Sequence, residues 1–233
     1  MRRTLQSFLT MTDSIQISKN ATTAKNGNKA EQKLCDIPQI KQCLESYFGK
    51  PIQTISKVPG RKKSDNLVTF MDGTSIQLQN KDGKGNGRGW SADRRSVEKM
   101  PVEELGKALL SNVCLKKSTE RPVVPLSPTL IADLLLGSDN QYKPTHFTHT
   151  VFDKESGDLL HLSISPAETI LGKLQEQAYK ELVPKKTCVH ISPLLYLQRK
   201  GGGSKDHAPD DIQLKVKDFP PGLMTCLFET KTQ

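Results

Sequence analysis

Three polar side chains, Asp65, Gln79 and Lys81, stand in the passage SDNLVTFMDGTSIQLQNK, and their types suit the hydrolysis of a phosphodiester. That reaction needs a cation to neutralise the phosphate, oxygen ligands to hold the cation, and a basic group beside the attacking water. A carboxylate and a carboxamide oxygen can fill two positions on a magnesium or manganese ion. An ammonium two residues further along the same strand points to the same face and can position the water. Water and phosphate would complete the shell.

Sharing one face demands a particular hairpin. Residues Asn66 to Phe70 and Thr74 to Lys81 read as strands around Met71-Asp72-Gly73. A two-residue loop would pair Met71 with Thr74 and turn Asp65 away from Gln79 and Lys81. An odd-length connection, with Gly73 left-handed in a bulge, pairs Phe70 with Thr74 and Val68 with Ile76. It gathers Val68, Phe70, Ile76 and Leu78 on one apolar face and Asp65, Gln79 and Lys81 on the other, so this register is the expected one. The plainer reading is an amphipathic hairpin with its polar side in water. The QxK triplet is cheap, recurring at Gln198-Arg199-Lys200 and Gln213-Leu214-Lys215.

Upstream, Asp36 can cap a helix with Pro38 in its first turn and Ile37, Ile40, Leu44 and Phe48 along one stripe, ended by Gly49. Ile52 to Val58 alternates as a strand. Beyond Lys81, the glycine-rich run DGKGNGRGW leads to Ser91, which is expected to cap helical sequence running, with a break at Pro101, to Val113. A short helix is expected from Ser127 to Gly137. A second hairpin is expected from His146 to Asp153 and Leu159 to Ser165, then a helix to Val183. Strands are expected at Cys188 to Leu197, Ile212 to Val216 and Leu223 to Phe228.

This passage resembles the PD-(D/E)XK nuclease superfamily, whose pattern is an Asp opening one strand and an acid or Gln, any residue, then Lys on the next. The resemblance implies an α/β, restriction-endonuclease-like core of helix, three strands, helix and strand, agreeing with the element order read above. It further implies Asp65 as main metal ligand, Gln79 as second ligand, Lys81 as the residue assisting water, and Mg2+ (or Mn2+) as cofactor. Ser64 stands where the family has Pro, and Gln79 replaces the usual carboxylate. An amide leaves the site one negative charge short, so another acid is expected. Glu45 on the first helix is the first candidate, since members of the superfamily often recruit a helical Glu, and Glu31 is the second. Residues 34–153 are expected to form the core, 154–233 a mixed α+β extension that helps grip DNA, and 1–33 a disordered tail.

The 233 residues carry 34 Lys or Arg against 25 Asp or Glu, a net charge of +9 that favours a polyanionic partner. Eleven Lys or Arg against five Asp or Glu lie between Lys50 and Lys99, so the excess surrounds the candidate site. Arg61, Lys62, Lys63, Lys84, Arg88, Arg94 and Arg95 could meet successive phosphates of DNA, although a solvated charged face is the plainer reading. The glycine-rich loop could carry Trp90 against a base or sugar, and Arg199 and Lys200 sit in a second glycine-rich loop. No GxxxxGK[ST] loop is present. No window approaches the roughly 18 apolar residues of a membrane helix. The five cysteines, without a CxxC pair, read as free thiols of a reducing, intracellular compartment. His146 and His149 fall on opposite faces of a strand. His161, His190 and His207 have no Cys or acidic partner at ligand spacing, and read as structural.

The start, MRRTLQSFLTM, resembles the peptides with which replication and repair enzymes dock onto the sliding clamp, with Leu5, Phe8 and Leu9 in the apolar positions. A mitochondrial transit peptide is the alternative, set against a nuclear site of action. Metal-dependent cleavage of DNA is the expected function, and a non-catalytic nucleic-acid-binding or packaging protein of the same fold is the rival. The sequence leaves open whether a homodimer acts on the two strands.

Overall fold

The computed structural model describes residues 29–59, 62–83, 90–96, 129–137, 140–153, 155–185, 188–199, 211–217 and 222–230. A helix at residues 29–36 (α1) runs into α2, Pro38–Phe48. Then come β1 (Ile52–Lys57), β2 (Asn66–Phe70), β3 (Ser75–Asp82) and β4 (Trp90–Ser96). After α3 (Leu130–Leu136) and a 3-10 turn at Asn140–Tyr142 follow β5 (His146–Phe152), β6 (Leu159–Pro166) and α4 (Ala167–Glu176). The described part ends in β7 (Val183–Lys185), β8 (Cys188–His190), β9 (Leu195–Arg199), β10 (Asp211–Val216) and β11 (Thr225–Glu229).

The strands make two sheets. One has the order β1-β2-β3-β5-β6-β11, the other β4-β10-β9-β8-β7. Within the first, β3 and β5 run parallel, with Gln79 beside Phe147 and Lys81 beside His149, while its other neighbours are antiparallel. Such a parallel pair needs a crossover connection, and the chain between β3 and β5 contains β4 and α3. One face of this sheet packs on α1 and α2 through Leu34, Ile40, Leu44, Val68, Phe70, Leu78, Leu162 and Ile164. The second core joins Phe147 to α3, α4 and the inner residues of the second sheet, among them Val189, Leu197, Ile212 and Leu214.

The expected hairpin register is the one found. Val68 pairs with Ile76, Asn66 with Leu78, the Phe70 N–H donates to the Thr74 carbonyl, and Gly73 has φ 80°. Helix α2 ends at Gly49 with φ 64°, where a side chain would strain the left-handed backbone. Other expectations are corrected. Asp36 does not cap α2; it closes α1, where the Gln32 amide donates to its carboxylate at 2.9 Å. Helix α1 begins before residue 34, and its Ala30 and Leu34 are buried, so the fold reaches further into the polar amino-terminal stretch than residues 1–33 as a tail would allow. Ser91 opens no helix, because β4 pairs with β10 instead. For the same reason residues 154–233 are no appendage: β6 and β11 complete the first sheet, and β10 carries β4 in the second.

One polar cluster on the α2 side of the sheet fixes the strands next to the site. The buried Asn80 carboxamide oxygen accepts from the Thr148 hydroxyl at 3.1 Å and the Thr150 hydroxyl at 3.2 Å, tying β3 to β5. Removing the shared acceptor leaves two buried hydroxyls unsatisfied, at a cost of about 2–3 kcal/mol. Asn80→Leu is therefore expected to lower urea-unfolding stability by about that amount, and the Asn80→Leu, Thr148→Val, Thr150→Val triple variant to recover most of it. A triple variant no more stable than the single one would count against this cluster.

Candidate functional site

Asp65 immediately precedes β2, and the segment leading to it is clamped on several sides. Both the Ser64 N–H and its hydroxyl donate to the Tyr142 carbonyl, at 3.2 and 2.7 Å. The Lys63 ammonium donates to the Leu134 carbonyl at 2.6 Å and the Ala92 carbonyl at 3.2 Å, and meets the Asp93 carboxylate at 3.1 Å. Thus α3, the turn after it and β4 all fix the backbone just ahead of Asp65. The Asp65 N–H donates to the Leu78 carbonyl, and its own carbonyl accepts from Val58.

Beyond the Asn66–Leu78 pair β2 no longer runs beside β3, and the Asn80 N–H finds the Asp65 carboxylate instead, at 2.8 Å to Oδ2. The pleat sends Gln79 and Lys81 to the face opposite Leu78 and Asn80. Gln79 is buried, and among the described residues its Oε1 has no hydrogen-bond partner. The Lys81 ammonium donates to the Ser91 carbonyl of β4 at 3.3 Å.

Burial dominates the electrostatics. Desolvation pushes the Asp65 carboxyl up to about 6; the Glu31 carboxylate adds to this, while Lys81, the Asn80 N–H and Lys63 oppose it. Desolvation likewise pushes Lys81 below the usual lysine range, against the pull of the Asp65 and Asp93 carboxylates. Each group's charged form is thus costly without compensation, and the two charges offset each other in part. A divalent cation fits this setting: a carboxylate and an orphaned carboxamide oxygen are hard donors, and the orphan in particular lacks a partner that an ion would supply.

The other expected residues divide. Glu45 is not brought to the site: its Oε1 accepts from the Ile52 N–H at 2.8 Å, and Ile52 pairs with Phe70 at the far end of β2, roughly 15 Å along the strand from Asp65. The helical acid that acts on Asp65 is Glu31 of α1, which also pairs with Lys57 at 3.0 Å. Lys63 is corrected from a phosphate contact to an internal anchor, its side chain 12% exposed. Lys62 remains exposed, with its ammonium 4.3 Å from the Tyr142 ring centroid. Trp90, Arg94 and Arg95 lie on β4, opposite Val216, Gln213 and Ile212 of β10, and Arg199 ends β9. Arg61, Lys84, Arg88 and Lys200, and the docking residues Leu5, Phe8 and Leu9, lie outside the described residues. Asp93, absent from the expected residues, reaches the site on β4, which is held by its pairing with β10. No local pattern announces that pairing.

No family model matches the sequence, and no curated protein matches it significantly. The fold, however, has a solved counterpart. The chain superposes on the crystal structure of restriction endonuclease MspI in complex with its cognate DNA with a TM-score of 0.50 and 15% sequence identity. The superposition covers 92% of this chain and 100% of that one. At that identity the likeness speaks to architecture: the protein has a restriction-endonuclease fold.

Proposed function

We propose that the protein is a metal-dependent endonuclease acting on DNA, with Asp65, Gln79 and Lys81 as its working residues. The observation that carries this reading is the Asp65 carboxylate held on the Asn80 N–H and coupled in charge to Lys81 at the end of the β2–β3 ladder, with the buried Oε1 of Gln79, on the same face of β3 as Lys81, left without a hydrogen bond among the described residues. The fold, shared with an endonuclease solved on DNA, and the net charge of +9 support a nucleic-acid substrate.

Asp65 and Gln79 would hold a magnesium or manganese ion. When bound, such an ion supplies charge neutralisation at the phosphate and a more acidic water. The chain's own residues do the rest. The Asn80 N–H fixes one Asp65 oxygen and leaves the other outside any described hydrogen bond. Lys81, anchored on the Ser91 carbonyl, orients a water through Nζ; burial lowers its proton affinity, so the neutral amine, the form that can accept the water's proton, is easier to reach. Glu31 supplies further negative charge near Asp65, offsetting the neutrality of Gln79.

Asp65→Asn and Lys81→Ala are expected to reduce Mg2+-dependent cleavage of labelled duplex DNA at least a thousandfold, with DNA affinity within about threefold of the parent. Glu45→Gln is expected to keep activity within about threefold, because its carboxylate serves the start of β1. Full activity in Asp65→Asn or Lys81→Ala rejects the assignment. A parent that binds DNA but cleaves no substrate with either ion favours the non-catalytic reading.

The raised Asp65 pKa sets a second expectation, for the metal-free protein in EDTA. The folded carboxyl, at about 6, holds its proton more tightly than the unfolded one, so its stabilising contribution is full below about 4 and is lost as pH rises through about 6. Asp65→Asn removes the cost of the buried charge. It is therefore expected to be about 1–2 kcal/mol more stable than the parent at pH 8, after allowance for solvent screening, and to lose that advantage near pH 4. Urea unfolding at the two pH values measures the difference. An equal effect at both contradicts the burial of a charged Asp65.

A further inference from the structure

The outer end of the first sheet holds a second chemistry that the proposed nuclease site does not use. Strand β11 is the edge strand, paired with β6 through Cys226 beside Ser163 and Glu229 beside His161, with a bulge between these pairs. The bulge and the register bring three different donors to one spot. Ligand atoms of His161, Cys226 and Glu229 all lie within 4.8 Å of one another, and His161 Nδ1 is 3.8 Å from a Glu229 oxygen. That separation is too long for a hydrogen bond. Among the described residues this is a mixed nitrogen, sulfur and oxygen set, unlike the all-oxygen donors of Asp65 and Gln79.

We propose that His161, Cys226 and Glu229 form a separate transition-metal site, taking zinc or a zinc-like divalent ion, that clips edge strand β11 to β6. Imidazole, thiolate and carboxylate together suit a borderline-soft ion and not magnesium. Tetrahedral zinc with ligands at about 2.0–2.3 Å needs donors roughly 3.3–3.8 Å apart. Cys226 and Glu229 are exposed, so small rotations of their side chains can close the remaining gap. Three protein ligands leave a fourth position for water. Because His161 and the β11 ligands are far apart in sequence, an ion shared by them ties the end of the described chain to the central sheet and favours the folded state. The site stands on its own donors and does not depend on the nuclease reading.

The test uses the full chain, stripped with EDTA and dialysed, then titrated with Co2+. A cobalt-thiolate charge-transfer band is expected to grow to one equivalent, to be displaced by Zn2+, and to persist in excess Mg2+. Cys226→Ser is expected to abolish the band. His161→Ala and Glu229→Gln are expected to weaken Co2+ affinity at least tenfold, while Cys188→Ser, on β8 of the other sheet, leaves it unchanged. Zn2+ is expected to raise the Tm of the parent and not that of Cys226→Ser. No band in the parent, a band that survives Cys226→Ser, unchanged affinity in the His161 and Glu229 variants, or an unmoved Tm overturns the proposal. All these variants leave Asp65, Gln79 and Lys81 intact, so DNA cleavage with Mg2+ reads the nuclease site separately.

Discussion

The Asp65 carboxylate accepts the main-chain N–H of Asn80 where β2 leaves β3, and the architecture of the site follows from that one hydrogen bond. A buried N–H must find an acceptor. Here a side chain takes the place that a neighbouring strand would have filled, so the carboxylate is pinned beside the strand that carries Gln79 and Lys81. The same arrangement places it in a half-dry environment, where its charge is costly. Stability and chemistry therefore oppose each other at this position, as is common where a fold keeps a polar cluster for use.

The supporting interactions give Lys63, the last basic residue before Asp65, an internal role. Lys63 spends its charge and its donors on Asp93 and on the carbonyls of Ala92 and Leu134, and so holds α3 and β4 against the segment entering β2. Asp93 then lies close enough to act on Lys81 as well. The second sheet is thereby part of the site's construction: β4 supplies the Ser91 carbonyl that receives the Lys81 ammonium, and β10 keeps β4 in place. On the opposite face, the Asn80 carboxamide locks β3 to β5 through two threonines.

What was legible in the sequence was local. The β2–β3 register followed from alternating apolar residues and a single glycine turn, because only one pairing buries Val68, Phe70 and Leu78 together. The hairpin of β5 and β6 and the glycine end of α2 were legible for the same reason. Partnerships across long stretches of chain were not. Ser91 to Ser96 reads as a capped helix start until β10 is available to pair with it. Glu45 looks like the helical acid of the site, but α2 points it at the start of β1, and the acid whose charge reaches Asp65 comes from α1, in a stretch too polar to announce a helix. His161 has no ligand partner nearby in sequence; Cys226 and Glu229 come beside it only when β11 docks on β6.

The most direct test of the central claim is anomalous diffraction from crystals of the protein soaked in Mn2+ at neutral pH, where Asp65 is ionised. An anomalous peak is expected within coordination distance of an Asp65 carboxylate oxygen and Gln79 Oε1, and is expected to be lost in Asp65→Asn. Manganese bound elsewhere on the chain with nothing between those two side chains would contradict that claim.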